Sequence, residues 1–115
     1  MTASAESSLP PLPKLFSPEE VWKIIENGGI LIDVRTPEEW ADSCFAEAVF
    51  LDAREFPARF EELLAHKDKT LVLFCRSGGR SEKVGSFLIG KGFPSVVNGG
   101  AFTDLLAFKE HSASK

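Results

Sequence analysis

Cysteine is scarce in this chain of 115 residues, and the scarcity excludes two kinds of protein. Only Cys44 and Cys75 are present. Two cysteines are too few for a small secreted scaffold held together by disulfides, and too few for a cysteine-rich zinc site. We therefore expect no metal, no cofactor, and a reducing, cytoplasmic compartment.

Long apolar runs and an excess of positive charge are also missing. No apolar run approaches the ~18 residues that a membrane span needs, and residues 1–13 lack the apolar centre of a signal peptide. The net charge of −4 argues against a nucleic-acid partner, because such a partner requires a basic surface. The sequence thus predicts a protein that binds neither membrane nor nucleic acid.

What the chain does contain is a series of short apolar runs that alternate with helix signals. The apolar runs predict strands at 30–34, 49–51, 71–75 and 96–97. Ser17 and Thr36 each begin a capping box followed by proline, which predicts the start of a helix. Alternation of this kind predicts an α/β fold with four to five parallel strands and helices on both faces of the sheet.

Composition divides the chain into three segments. Residues 1–14, rich in serine, alanine and proline, are predicted to form a flexible N-terminal arm. Residues 15–108 are assigned to the folded domain, and residues 109–115 to a polar C-terminal tail. Within the domain, the helix after the strand at 71–75 is expected from Glu82 onward, and the glycines that follow Asn98 are expected to form a turn.

The candidate site is the loop that follows the strand at 71–75. Four apolar residues lead into Cys75, and Gly78 and Gly79 permit the backbone angles that would turn successive amides toward one point. The positive end of the next helix would face the same point. The loop is therefore predicted to hold an anion with the Cys75 sulfur at its base, and to lower the thiol pKa without a histidine. The residues assigned to this anion-binding loop are Arg76, Ser77, Gly78, Gly79, Arg80 and Ser81.

Two arginines carry the positive charge of the loop. On a protein with a net charge of −4 they form a local basic patch, which suits a small anion better than a polyanion. Arg76 is expected to contact the anionic substrate. Arg80 is expected to pair with a carboxylate such as Asp33 or Glu82, with some contact to the anion.

Cys75 taken alone would be interpreted as a core residue, since free cysteine packs as a small hydrophobic side chain. Its place between an apolar strand and a loop of glycine and arginine favours a reactive role. Cys44 keeps the core interpretation, with a resolving thiol in a redox cycle as the alternative. Asp33 and Arg35 end the strand at 30–34 and are expected to support the loop and its neighbouring turns by hydrogen bonds rather than to react.

Three blocks of sequence, at 31–40, 71–81 and 92–100, resemble a single-domain rhodanese, which is a sulfurtransferase. The resemblance covers almost the whole chain and implies a five-stranded parallel sheet with a six-residue active loop, here beginning at Cys75. It implies that this cysteine accepts a sulfane sulfur from a small anionic donor such as thiosulfate. The resulting persulfide would pass the sulfur to cyanide, a thiol or a protein acceptor. Residues 43–48 depart from the family, which usually shows a Gly-His-Ile-x-Gly-Ala run there.

Two other functions stay open at this point. A phosphatase or arsenate reductase on the same fold needs Cys-x5-Arg, whereas here Arg80 comes one position early and Ser81 takes the diagnostic place. That shorter loop closes around one sulfur atom rather than around a phosphate. A non-catalytic rhodanese-like binding module is the second alternative, although such modules usually lack the cysteine that this chain retains.

Overall fold

The computed structural model describes residues 11–113. Five strands alternate with helices along this range. The strands are β1 (Lys14–Leu15), β2 (Ile30–Asp33), β3 (Val49–Phe50), β4 (Leu71–Cys75) and β5 (Val96–Ala101). The α-helices are α1 (Pro18–Glu26), α2 (Pro37–Asp42), α3 (Phe56–Arg59), α4 (Gly79–Gly90) and α5 (Phe102–Ala113), and 3-10 turns at Ala53–Glu55 and Phe60–His66 flank α3.

All five strands pair in parallel, in the order β1-β5-β4-β2-β3. This confirms the predicted α/β fold and its parallel sheet. The central strand β4 is buried along its whole length, as expected when helices cover both faces. Asp33 lies opposite Phe74 in the register, so the ends of β2 and β4 reach the same sheet edge. That edge carries the loop from Arg76 to Ser81.

The two faces of the sheet bury separate hydrophobic clusters. Ile32 and Leu73 pack with Leu88 of α4 on one face. Val21 of α1 and Leu105 of α5 pack on the other face. Both clusters come from strands whose alternate residues point to opposite sides, so the sheet is stabilised from both faces.

The capping boxes form as the sequence predicts. The Ser17 hydroxyl accepts a hydrogen bond from the Glu20 amide, and the Glu20 carboxylate accepts one from the Ser17 amide. Thr36 and Glu39 make the same reciprocal pair at the start of α2. These contacts are local in sequence, and each satisfies helix amides that would otherwise lack partners.

The predicted turn after Asn98 is wrong. β5 continues through Ala101, and an irregularity lets Leu73 pair with Asn98 while Phe74 pairs with Gly100. Gly99 is thus an extra residue in the strand, and a Cβ there would lie 2.9 Å from Val72. The glycines therefore form a bulge with a close backbone approach rather than a turn.

The predicted segment boundaries also need correction. Lys14, assigned to the flexible arm, lies in β1 and pairs with Val97, while residues 1–10 of that arm lie outside the described range. The polar tail is helical as far as Ala113, because no proline or glycine interrupts the chain after Phe102. The helix after the loop begins at Gly79, three residues earlier than expected. None of the helices between residues 11 and 113 is long and apolar enough to cross a membrane.

Candidate active site

Cys75 ends the central strand, and its side chain is buried at the sheet edge. Its exposed fraction is 0%, and it packs in the same cluster as Leu73 and Val84. Burial of this degree is also what an inert core cysteine shows. The polar groups around the sulfur are what set it apart.

The loop turns hydrogen-bond donors toward the sulfur from two sides. The Gly78 amide donates to Cys75 Sγ at 3.0 Å, and the Ser81 hydroxyl lies 3.6 Å from it. Burial raises the pKa of the Cys75 thiol, but the Ser81 hydroxyl and the amides of Ser81, Ser77 and Gly78 lower that pKa by more. The net effect is a thiol pKa below its ordinary value, because hydrogen bonds to a thiolate favour the charged form.

This shift can be measured directly by titration. In a Cys44→Ala variant the thiolate absorbance in the ultraviolet reports Cys75 alone, and no tyrosine interferes because the chain has none. We expect the titration midpoint below that of an ordinary thiol, since the folded loop stabilises the anion. In denaturant the midpoint should rise to the ordinary thiol value. Equal midpoints in the folded and the denatured protein would contradict the assignment.

The loop conformation depends on one glycine. Gly78 has φ of +95°, a left-handed angle that side chains with a Cβ rarely adopt. With this turn the Gly78 amide faces back to Cys75, three residues earlier, and α4 starts at Gly79. The N-terminus of α4, which is twelve residues long, therefore lies next to the sulfur with the positive end of the helix dipole.

Asn98 is a residue of this site that sequence reading missed. Its side-chain oxygen accepts hydrogen bonds from the Ser81 hydroxyl at 2.7 Å and the Gly100 amide at 2.9 Å. Its side-chain nitrogen donates to the Gly78 carbonyl at 3.2 Å. A polar residue that follows Val96 and Val97 in a buried strand is the signal that could have revealed it, had residues 98–100 not been interpreted as a turn.

The two loop arginines lie in different environments. Arg80 pairs with Glu39 of α2 at 3.2 Å, rather than with Asp33 or Glu82. Burial raises the pKa of the Glu39 carboxyl, but the Thr36 amide and Arg80 lower it by more, so the carboxyl is held in its charged form. This pair connects the capping box of α2 to the loop. Arg76, by contrast, is exposed.

Two concave surfaces approach the loop. A groove of about 710 Å³ is lined by Ser77, Gly78 and Gly79 together with Leu15 and Phe16 at the end of β1. A smaller depression of about 320 Å³ contains Arg76 and is lined also by Arg35, Glu39, Asp42, Phe102 and Thr103. The two share no lining residue, so the loop can be reached from either side.

Asp33 and Arg35 form a buried ion pair beside the loop. The Arg35 guanidinium donates to both carboxylate oxygens of Asp33, and its amide donates to Asp33 Oδ1 at 2.9 Å. The same guanidinium donates to the Ser43 carbonyl at 2.6 Å and lies 4.0 Å from the centre of the Phe102 ring. The pair therefore braces the turn after β2 and the segment that ends α2.

The core interpretation of Cys44 is wrong, because this cysteine is exposed. The next residue, Phe45, turns inward instead and is 3% exposed. Its ring lies 5.2 Å from Trp22 and 4.9 Å from Phe102, between centroids. An aromatic side chain thus fills the space under the segment in which this sequence departs from the family run.

Comparisons with known proteins identify the family. A family model of the rhodanese-like domain matches residues 17–102. Thiosulfate sulfurtransferase GlpE of Pseudomonas syringae is 34% identical over 89 residues, which are 76% of this chain and 82% of that protein.

Solved structures agree with this match. The reduced CoADR-RHD protein of Bacillus anthracis is 30% identical with a TM-score of 0.71, over 81% of this chain but only 16% of that one. The human single-domain sulfurtransferase is 26% identical with a TM-score of 0.68, over 83% of this chain and 96% of that one. With the fold, the loop and the sequence match in agreement, this chain belongs to the rhodanese-like sulfurtransferase family.

Proposed function

We propose that this chain is a thiosulfate sulfurtransferase in which Cys75 carries the sulfur as a persulfide. The observation that supports this best is the set of donors around an otherwise buried sulfur: the Gly78 amide at 3.0 Å and the Ser81 hydroxyl at 3.6 Å. Polar groups placed in this way stabilise negative charge on sulfur. An inert core cysteine does not need such hydrogen-bond donors, because it stays a neutral thiol.

In the first step the Cys75 thiolate attacks the outer sulfur of thiosulfate. A bond forms between the two sulfur atoms, the sulfur–sulfur bond of thiosulfate breaks, and sulfite leaves with the electron pair. The cysteine is left as a persulfide anion, so the negative charge moves by one atom but is not lost. The same loop amides and the adjacent helix end therefore serve both the thiolate and the intermediate.

In the second step an acceptor attacks the outer sulfur of the persulfide. With cyanide, a carbon–sulfur bond forms, the persulfide bond breaks, and the Cys75 thiolate is restored as thiocyanate leaves. No proton needs to be transferred in either step when both cysteine forms are anions. This agrees with an activation that relies on hydrogen bonds, without a histidine base.

Access to the sulfur requires movement of the loop, because Cys75 has an exposed fraction of 0%. Three loop residues, Arg76, Ser77 and Gly79, are themselves exposed. Arg76 and Ser77 precede the part of the loop that Asn98 and Glu39 hold, and exposed backbone of this kind opens at lower cost than the buried core. We infer that the loop opens to admit the donor and closes over the persulfide, which protects it from water and stray thiols.

Intact mass spectrometry tests the proposal. Incubation with thiosulfate should add the mass of one sulfur atom, and a cyanide chase should remove it. The Cys44→Ala variant should behave in the same way, which places the added sulfur on Cys75. A protein that never gains mass would instead be a rhodanese-like binding module.

Arg76→Ala should weaken the binding of thiosulfate. An exposed guanidinium next to Cys75 can bind the sulfonate end of the donor, and loss of one such charge-assisted contact corresponds to roughly a tenfold rise in KM. If the contact binds ground and transition states alike, kcat stays nearly constant. Steady-state kinetics with varied thiosulfate measures both.

The control for Arg76→Ala is Lys23→Ala. It removes the same charge from an exposed position of α1. Lys23 lies next to the segments that precede β2 and β4, so it is at the opposite edge of the sheet from the loop. Its KM should equal that of the parent protein. An unchanged KM in Arg76→Ala would remove Arg76 from the substrate site.

A further inference from the structure

Asn98 lies beneath the active loop as a buried polar side chain. Residues of β5 alternate between the faces of the sheet: Val96 packs on the α4 face, and Val97 packs on the opposite face. Asn98 therefore returns to the α4 face, and it is only 5% exposed. A polar group buried in this way needs hydrogen-bond partners, and its partners determine what it can do.

The orientation of the Asn98 amide follows from chemistry. The Gly100 amide can only donate, so the group 2.9 Å from it must be the side-chain oxygen. The Gly78 carbonyl can only accept, so the group 3.2 Å from it must be the side-chain nitrogen. Asn98 thus joins the bulge in β5 to the loop after β4, and its oxygen also meets the Ser81 hydroxyl at 2.7 Å.

The two loop residues that Asn98 holds are those whose donors face the sulfur. Gly78 contacts Cys75 Sγ through its amide at 3.0 Å, and Ser81 lies 3.6 Å away through its hydroxyl. Gly78 is also a residue with no Cβ and a left-handed φ of +95°, so its backbone is restrained little by its own sterics. A bond to its carbonyl supplies the restraint that the glycine lacks.

We propose that Asn98 is a positioning residue for Cys75, which fixes Gly78 through its carbonyl so that the Gly78 amide stays directed at the sulfur and stabilises negative charge there. The inference deepens the proposed sulfurtransferase function and rests on it. Asn98 does not touch the sulfur. It acts through Gly78, and its removal should therefore change the thiol without changing the binding of the donor.

A competing effect has the opposite sign. The Ser81 hydroxyl has one proton, and Asn98 Oδ1 at 2.7 Å and the Gly78 carbonyl at 3.1 Å both compete for it with the sulfur at 3.6 Å. If this competition dominated, removal of Asn98 would free the proton for the thiolate and make Cys75 more acidic. We expect the positioning effect to win, because the shorter contact to the sulfur is made by the Gly78 amide, which Asn98 holds in place.

The test is a titration of the thiol in the full chain. With Cys44→Ala as the background, the ultraviolet thiolate absorbance of Asn98→Ala is followed against pH. The Cys75 pKa should rise by about one unit, which lowers the thiolate fraction at neutral pH by up to tenfold. The charged groups around the loop are unchanged in this variant, so the change reports hydrogen bonding; they are Arg76, Arg80 and Glu82 of the loop and α4, Glu39 of α2, the Asp33–Arg35 pair after β2, and the Asp52–Arg54 pair before α3.

Two further variants keep the result interpretable. Asn98→Leu fills the space of the amide but makes none of its hydrogen bonds, so it should raise the Cys75 pKa as Asn98→Ala does. It takes the place of Asn98→Ala if the cavity in that variant impairs folding. Val97→Ala trims a buried neighbour that faces the other side of the sheet, and it should leave the pKa unchanged. An unchanged or lower pKa in the Asn98 variants would overturn the proposal.

Kinetics separates this inference from the proposed function. With thiosulfate, Asn98→Ala should lower kcat several-fold at an unchanged KM, since it alters the nucleophile and leaves Arg76 in place. A matching rise in KM would overturn the positioning role. If the parent protein transfers no sulfur at all, the proposed function fails, but the titration still decides whether Asn98 controls the thiol.

Discussion

Cys75→Ser abolishes the transfer of sulfur from thiosulfate to cyanide. A serine hydroxyl stays protonated at neutral pH and forms no persulfide, so loss of the nucleophile should lower kcat/KM by about three orders of magnitude or more. The loss should persist at every pH at which the parent protein is active, because the serine hydroxyl stays protonated throughout that range. A thiocyanate assay with purified protein measures it.

The matched control is Cys44→Ser. It makes the same chemical change at the exposed cysteine two residues after the end of α2. The activity of this variant should equal that of the parent protein. Loss of activity in both variants would show that the two thiols act together, as a redox cycle requires. Substantial activity in Cys75→Ser would contradict the persulfide mechanism.

Loss of activity in Cys75→Ser must be separated from loss of the fold. Serine is close in size to cysteine, and the Gly78 amide and the Ser81 hydroxyl that face the sulfur can also bond to a hydroxyl oxygen. The cost of a hydroxyl at a fully buried position should therefore stay within about 1–3 kcal/mol. Urea unfolding of this variant and of the parent protein gives the difference.

Features that depend on near neighbours in sequence could be predicted well. The capping boxes at Ser17 and Thr36 join residues three apart, and the apolar run that becomes β4 needs only its own pattern. The parallel sheet follows from strands that alternate with helices. Local patterns were sufficient in each case: the capping contacts lie within three residues, and the strand and the parallel sheet follow from the order of apolar runs and helices without knowledge of which strands pair.

Features that depend on packing across the sheet could not be predicted. Gly99 becomes a bulge because a Cβ there would lie 2.9 Å from Val72, and nothing in residues 98–100 reveals that neighbour. Asn98 was missed with it, although it supports the loop. The burial of Phe45 instead of Cys44 has the same origin, because the rings that Phe45 contacts, those of Trp22 and Phe102, are distant in sequence and residues 44–45 do not reveal them.

The second large effect concerns stability, and it comes from the buried pair of Asp33 and Arg35. Arg35→Ala removes the guanidinium that contacts both carboxylate oxygens of Asp33. The Asp33 side chain is 0% exposed, and of the hydrogen bonds described above it would keep only the one from the backbone amide of residue 35. Breaking a buried pair from one side costs about 3–5 kcal/mol, because a charge stays buried without its counterion. That is a large part of the ~5–15 kcal/mol by which a small domain is stable.

The chain contains its own control for this prediction. Asp52 and Arg54 repeat the arrangement two residues apart: the Arg54 amide donates to Asp52 Oδ1 at 2.9 Å, and the guanidinium bonds to both oxygens. Both carboxylates are buried, with the Asp52 side chain 4% exposed, and the two pairs differ in the arginine: the Arg54 side chain is 72% exposed and that of Arg35 is 5% exposed. Because the Arg54 guanidinium lies in solvent, its removal lets water reach the Asp52 carboxylate, so Arg54→Ala should cost clearly less than Arg35→Ala.

Urea unfolding of the two arginine variants tests whether burial of the arginine determines how much free energy of unfolding is lost when each pair is broken. A larger loss in Arg35→Ala than in Arg54→Ala is expected, and equal losses would show that burial of the arginine adds nothing to the cost of breaking the pair. The double variant Asp33→Ala/Arg35→Ala supplies the last comparison. It removes the buried charge together with its counterion, so it should be no less stable than Arg35→Ala alone, because the cost lies in the uncompensated carboxylate rather than in the lost contact.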